Sequence, residues 1–331
     1  FSFLFFYIGG DYYIFIIAMI LYGLGEAFRS GTHKAMIMDF LDYEDIDISK
    51  GRIYGKTRAY SLLGSMISSI IAIFLYLYFK DIRLLFIIAI IPYLIDLLLI
   101  LSYPSYMNER RDETFSFKPF IIKNLQGIKF AFTDKTSRFL LISSSSYGAW
   151  FKVIKDYIQP IIALGVYIIY SNSEFELETS QVIYLGIIYA FIYLISSIGS
   201  RNSYRIKKHI SDSVITTFIW IPSALIALLI GFLHSSLIAV TILFVLLYLL
   251  LNIRKPLMIE LIGEHIDADK RATLLSVESQ ITSILIIVFA PLLGFISDRF
   301  GIDIMFISLG TAILVIQSVV ALRKGPWHQK W

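Results

Sequence analysis

Ionisable side chains interrupt several long apolar stretches of this sequence. These are the residues most able to bind a solute or transfer a proton. The segment SSSSYGAWFKVIKDYIQP holds Lys152 and Asp156 four residues apart, which places both on one face of a helix. Lys155 and Gln159 repeat the spacing, and Trp150 adds an aromatic surface. Two lysines against one aspartate leave a spare positive charge. This face could bind a solute, or Lys152 and Asp156 could simply neutralise each other.

Pro160 ends the same segment and predicts an interruption of the helix. Proline has no backbone N–H and its ring clashes with the preceding turn, so the hydrogen-bond ladder breaks there. Broken helices at membrane depth are tolerated where they line a cavity. The sequence therefore predicts a cavity beside this helix.

Glu26 and Arg29 form a second charged pair within an apolar stretch, three residues apart and flanked by glycines. An ionisable side chain at mid-bilayer costs about 2.5–3.5 kcal/mol on insertion scales. The pair could be an internal ion pair that neutralises both charges. It could equally face a cavity, where Glu26 would gain and lose a proton as its surroundings change.

These charges must be positioned by membrane-spanning helices. The chain is 57% hydrophobic and 16% charged, with a mean hydropathy of +0.74, and belongs to the all-α polytopic membrane class. Nine apolar stretches are long enough to cross a bilayer core of about 30 Å. The predicted spans are 12–40, 53–79, 83–103, 138–168, 181–200, 213–233, 236–262, 271–297 and 301–322. A sequence without cysteine excludes disulfides and thiolate metal sites.

Lysine and arginine concentrate in alternate loops. This distribution predicts that those loops are cytoplasmic and that the chain is a multi-pass protein of the cell membrane. Arg254 and Lys255 are counted with that basic set. The same distribution argues against nucleic-acid binding, because the basic residues are not gathered on one soluble face. The segments predicted to be cytoplasmic are 41–52, 104–137, 201–212, 263–270 and the C-terminus. The longest of these loops is expected to contain an amphipathic helix on the membrane surface.

An internal repeat relates two parts of the chain. KAMIMDFL at 34–41 aligns with KPLMIELI at 255–262, and the two copies run in the same direction across the membrane. Parallel repeats of this kind occur in transporters built from two halves.

The segments GLGEAFRSGTHKAMIMDFL at 23–41 and RATLLSVESQ at 271–280 resemble the major facilitator superfamily of secondary transporters. The resemblance implies a two-bundle fold with a parallel pseudo-repeat. About nine complete spans would correspond to the fourth to twelfth helices of the family, after the end of the third. We therefore expect a fragment that starts inside a span. Its parts would be an N-terminal bundle at 1–103, a linker at 104–137 and a C-terminal bundle at 138–331.

The resemblance also implies where the site and the inner gate lie. The family's seventh helix is a discontinuous cavity helix, which makes Lys152, Asp156 and Gln159 the strongest candidates in this sequence. The inner gate would pair two acidic residues with basic residues of the cytoplasmic ends. Its expected members are Asp39, Arg52, Arg58, Arg205, Glu260 and Arg271.

The function implied is movement of a small solute by alternating access, in a monomer without cofactors. We expect coupling to protons through Glu26 or Asp156, and the excess of basic residues favours an anionic or zwitterionic solute. The alternatives are an uncoupled facilitator, a membrane-embedded lipid-modifying enzyme and a transporter-like sensor. No phosphate-binding Gly-x-x-x-x-Gly-Lys loop or paired histidines occur, so we expect neither an ATP-driven pump, nor a metal site, nor an enzyme.

Overall fold

The computed structural model describes residues 1–29, 40, 49–103, 122, 125, 128–129, 132–170, 176–266 and 268–322. This part of the chain is helical, and no strand occurs in it. The helices are α1 Ser2–Ile8, α2 Tyr12–Arg29, α3 Lys50–Phe79, α4 Leu84–Leu101, α5 Lys135–Ile154, α6 Ile158–Tyr170, α7 Leu177–Lys207, α8 Trp220–Phe232, α9 Leu237–His265, α10 Ala268–Phe300 and α11 Ile302–Leu322. A 3₁₀ turn, Lys155–Tyr157, joins α5 to α6, and a π-helical turn, Val214–Phe218, leads into α8.

Six helical stretches among the described residues are long and apolar enough to cross a membrane. They lie in α3, α4, α7, α9, α10 and the segment Val214–Phe232 that contains α8. Two further apolar helices, Tyr12–Glu26 and Ile302–Ser318, are shorter. The predicted span 138–168 is divided between α5 and α6. The chain is therefore an all-helical, multi-pass membrane protein, while the count of nine spans stays a prediction.

Several helices extend beyond the apolar stretches that predicted them. Helix α7 continues to Lys207, seven residues past the predicted end at 200, and α9 runs to His265. A helix satisfies its own backbone hydrogen bonds, so it can continue into the interface while long basic side chains extend towards water. The charged residues near helix ends are consequently helical residues and not loop residues.

Helix α3 connects the first part of the chain with the rest, because it packs along α7 and also contacts α9. Helix α5 packs on α10, α8 on α11, and α1 on both α2 and α4. A buried cluster that includes Tyr147, Phe151, Phe244 and Phe306 fills the space among the helices after residue 135. None of the residues of α4 is buried, as expected for a helix that faces lipid. The division into two bundles and a linker remains a prediction.

A single residue separates α10 from α11. Gly301 has φ +101°, in the region that glycine adopts without strain, and a Cβ there would lie 2.5 Å from Asp303 Oδ1.

The internal repeat predicted from the sequence is described in one copy only. Residues 255–262 lie on α9, and residues 34–39 of the other copy lie outside the described part. Most of the predicted amphipathic helix lies outside it as well.

Candidate functional site

The helix predicted to break near Pro160 is interrupted at Lys155–Tyr157, so this prediction is confirmed. Pro160 offers no N–H to the carbonyl of Asp156, four residues earlier. The backbone tightens to a 3₁₀ turn just before that point and resumes as α6 at Ile158. The interruption changes which side chains share a face, because a 3₁₀ turn has three residues per turn and not 3.6.

A polar cavity of about 120 Å³ lies where α5, α9 and α10 meet. We call it the polar cavity. Its charged lining residues are Lys152 from α5, Arg254 and Lys255 from α9, and Glu278 from α10. The hydroxyl-bearing residues Ser144, Ser279 and Thr282 also line it. Charged side chains from three different helices therefore share this cavity.

Hydrogen bonds from serines of α5 fix Glu278 in this cavity. Ser144 Oγ donates to Glu278 Oε1 at 2.6 Å, and Ser145 Oγ donates to the Glu278 carbonyl at 3.1 Å. Serine is small enough to let two helices approach closely, and its hydroxyl satisfies polar groups between them. The serine run of the sequence therefore holds α5 against α10 with the carboxylate between them.

Arg254 is the most deeply buried charge of the site, with 3% of its surface exposed. Its Nε donates to the Ile215 carbonyl at 2.9 Å, and Nη2 donates to Ser143 O at 3.1 Å and to Ser143 Oγ at 2.8 Å. The guanidinium carbon lies 4.4 Å from the centre of the Tyr147 ring, a cation–π contact.

The π-helical turn explains why the Ile215 carbonyl is available to Arg254. In an α-helix the N–H of Ile219 would bond to the carbonyl of Ile215, four residues before it. Here that N–H bonds to Val214 O, at 3.0 Å. Such π-turns often mark functional positions in helices.

The structure separates the residues that the sequence placed on one face. Lys152 lines the polar cavity, whereas Asp156 pairs with Lys155 on the 3₁₀ turn and its side chain is 60% exposed. The hypothesis that Lys152 and Asp156 neutralise each other is therefore wrong. Gln159 Nε2 donates to Tyr189 OH at 3.3 Å, on the neighbouring helix α7.

Trp150 lines a different and larger cavity. That cavity has a volume of about 500 Å³ and lies among α5, α8, α10 and α11. Aromatic and aliphatic side chains, Trp150 and Trp220 among them, form most of its wall, together with a few serine, threonine and glutamine side chains. No charged residue lines it, so it offers no ionic partner to a polar solute.

Glu26 and Arg29 are not brought to the polar cavity. Glu26 lies on α2, which packs on α1, and it is not among the cavity's lining residues. The side chain of Arg29 lies outside the described part of the chain. Whether Glu26 and Arg29 form an internal ion pair or face a cavity therefore remains open, as in the sequence analysis.

Helices α3 and α9 touch at the end that carries the predicted gate residues. Ser49 Oγ donates to Glu260 Oε1 at 2.7 Å, and a Cβ added to Gly51 would lie 2.7 Å from Glu260 Cβ and 2.9 Å from Pro256 O. We call this contact the Glu260 end. Glycine at position 51 is what lets the two helices approach this closely.

The arginines expected at the gate do not bond to Glu260 in the described residues. Arg52 lies over the Tyr204 ring, with Cζ 4.9 Å from its centre, and Arg205 Nε donates to Tyr204 OH at 3.1 Å. Arg58 lies further along α3 and donates to Asn252 Oδ1 at 3.2 Å. Among the described residues, Glu260 accepts from Ser49 and not from these arginines. Asp39 and the side chain of Arg271 lie outside the described residues.

A second polar contact lies at the opposite end of α3, where Lys80 meets the beginning of α7. Lys80 Nζ lies 3.1 Å from Glu176 Oε2 and donates to Thr179 Oγ1 at 2.9 Å, while Thr179 Oγ1 lies 2.6 Å from the same carboxylate. The hydrogen bond from Thr179 and the charge of Lys80 hold the pKa of Glu176 below its ordinary value. The carboxylate therefore stays ionised near neutral pH.

Sequence reasoning missed Arg254 as a site residue and counted it as part of a basic loop. The available signal was that Arg254 lies inside the predicted span 236–262, and in the structure it lies on α9, eleven residues before the end of that helix at His265. The family model of the Major Facilitator Superfamily matches residues 1–284, which include every charged residue of the polar cavity. None of the curated proteins compared matches the chain.

Proposed function

Because the chain belongs to the Major Facilitator Superfamily and is a multi-pass membrane transporter, we propose that it moves a small solute through the polar cavity by alternating access. The observation that carries this proposal is the polar cavity itself. Lys152, Arg254 and Glu278 meet there, on three different helices. Charged residues within membrane-spanning helices usually mark a substrate or ion pathway.

The depth of these charges supports the proposal. Arg254 lies eleven residues before the end of α9, which is about 16 Å along the helix axis at 1.5 Å per residue. Lys152 lies seventeen residues after the start of α5, about 26 Å along that helix. These distances from the helix ends support a position of both residues within the bilayer. In transporters of this kind, binding near the midplane allows access from either side.

The Glu260 end supports alternating access, since it offers a contact that could open and close. We propose that this end is the cytoplasmic gate, described here in its closed state, with Arg52, Arg58 and Arg205 near it. Asp39 and Arg271 remain expected members. The same orientation makes loops 41–52, 104–137, 201–212 and 263–270 cytoplasmic, in a monomer of the cell membrane.

Proton coupling is the energy source we propose. Glu278 is the carboxylate inside the polar cavity, so it joins Glu26 and Asp156 as a candidate proton carrier. Loss of water or of a neighbouring cation from around a carboxylate favours its protonated form. An uncoupled facilitator is the alternative.

Glu278→Gln is expected to abolish proton-driven accumulation of solute in proteoliposomes while exchange of labelled solute continues. Glutamine keeps an oxygen that can accept from Ser144 but cannot carry the proton. Glu264→Gln, at the exposed end of α9, is the matched control and should behave like the unmodified protein. The measurement is internal pH together with solute uptake. Unchanged solute-driven proton flux in Glu278→Gln, Glu26→Gln and Asp156→Asn would exclude these three carboxylates as proton carriers, and absence of such flux in the unmodified protein would leave the uncoupled facilitator.

A further inference from the structure

We propose that the solute bound in the polar cavity is an oxyanion, a molecule with a carboxylate or phosphate group, and that Arg254 is its principal anchor. This inference rests on the proposed transport function and names the substrate class of that same cavity. It goes beyond the charge count of the sequence, because it identifies a buried cation that forms no ion pair with any described acid.

Arg254 is buried and is held only by neutral groups. Its described hydrogen bonds go to two carbonyls and one hydroxyl, through Nε and Nη2, and it forms no ion pair in the described part of the chain. Nη1 has no hydrogen-bond partner among those residues. Buried charges in proteins are normally paired or bound to a counter-ion, because an unpaired charge away from water is costly. A bound oxyanion would give the guanidinium group a directly bonded partner of opposite charge.

The lining of the polar cavity favours the same sign of charge. Lys152, Arg254 and Lys255 face one carboxylate, that of Glu278, whose Oε1 already accepts from Ser144. Cationic groups that line a cavity with low-dielectric walls attract solutes of negative charge. The hydroxyls of Ser279 and Thr282 provide neutral donors beside the cations.

The geometry limits how the anion is held. Two of the guanidinium nitrogens are already used by Ile215 and Ser143, so Arg254 can offer Nη1 but not a bidentate fork. The lysines then act as point charges around the remaining oxygens. A cavity of about 120 Å³ suits a compact solute, not a long chain.

The test measures thermal stability of the purified protein with matched pairs of solutes. The pairs are acetate with acetamide, succinate with succinamide and benzoate with benzamide, and inorganic phosphate and choline are added singly. We expect at least one oxyanion to raise the melting temperature in a saturable way, while its neutral partner does not. Carboxylates and phosphate are tested separately, so the result also shows which of the two classes of oxyanion binds.

Variants then connect that binding to the cavity. Lys152→Gln and Lys255→Gln are each expected to weaken the apparent affinity at least tenfold, Lys152→Arg should retain it, and Lys208→Gln, exposed at the end of α7, should not change it. Arg254→Lys is expected to weaken it further if the protein folds. A purely structural role for Arg254 predicts lower stability with no anion dependence.

The outcomes separate this inference from the proposed function. Stabilisation by the neutral solutes or by choline, with none by any oxyanion, overturns the inference and leaves transport standing. An oxyanion whose effect is unchanged in Lys152→Gln and Lys255→Gln also overturns it. If no solute of any charge stabilises the protein and none is taken up by proteoliposomes, both the inference and the proposed function fail.

Discussion

Joining a cysteine at position 49 to one at position 260 is expected to stop transport completely. Ser49 Oγ and Glu260 Oε1 are 2.7 Å apart, so a short bifunctional thiol reagent can bridge the two positions. The bridge would hold α3 against α9 and prevent the Glu260 end from opening. Since the protein has no cysteine of its own, the two introduced thiols are the only ones present.

The measurement is solute uptake by proteoliposomes before cross-linking, after it and after reduction of a reducible bridge. Uptake should fall to the level of protein-free liposomes and return on reduction. Each single-cysteine variant treated with the same reagent is the control and should keep transporting. Uptake that continues at the control rate through the bridged protein would mean that this end does not open during transport.

Gly51→Ala is expected to shift the protein away from the conformation described here. The new Cβ would lie 2.7 Å from Glu260 Cβ and 2.9 Å from the Pro256 carbonyl, and neither is the free end of a flexible side chain. Overpacking of this kind costs about 1–3 kcal/mol. A cost that falls only on the closed state corresponds to a roughly 5- to 150-fold change in population.

The shift can be measured by labelling a cysteine at position 203, where the native serine is 1% exposed and lies against α3 near Gly55. Its reaction with a maleimide should accelerate in Gly51→Ala. Gly64→Ala on the same helix is the matched control, because a Cβ there meets no atom within 4 Å. Equal labelling rates in the two variants would show that the closeness at Gly51 does not control opening.

The membrane class and the interruption near Pro160 follow from the sequence because each depends on local chemistry. Apolar stretches longer than the bilayer core have few alternatives, and proline removes a hydrogen bond wherever it stands in a helix. Lys152 was found for the same reason, as a charge in an otherwise apolar segment. The Major Facilitator Superfamily match confirms the resemblance over residues 1–284.

The composition of the site could not be predicted from spacing alone. A spacing of four residues places Lys152 and Asp156 together only in a regular helix, and the 3₁₀ turn at Lys155–Tyr157 changes the direction of the side chains after it. Arg254 was missed because it was counted with the basic residues of a cytoplasmic loop, although the predicted span 236–262 already contained it. The Ile215 carbonyl is available to Arg254 because of a π-helical turn, and no pattern in the sequence predicts that turn.

Solute uptake by proteoliposomes that contain Gly148→Leu tests the central claim most directly. Gly148 lines the polar cavity, and its Cβ position is in ordinary contact with Thr282, so leucine would fill the cavity without changing its charge. Gly64→Leu, a site with open space around it, is the control. We predict uptake by the unmodified protein and by Gly64→Leu, and uptake at the level of protein-free liposomes by folded Gly148→Leu. Unchanged uptake by Gly148→Leu would contradict the account, because the solute would then cross the membrane by another path.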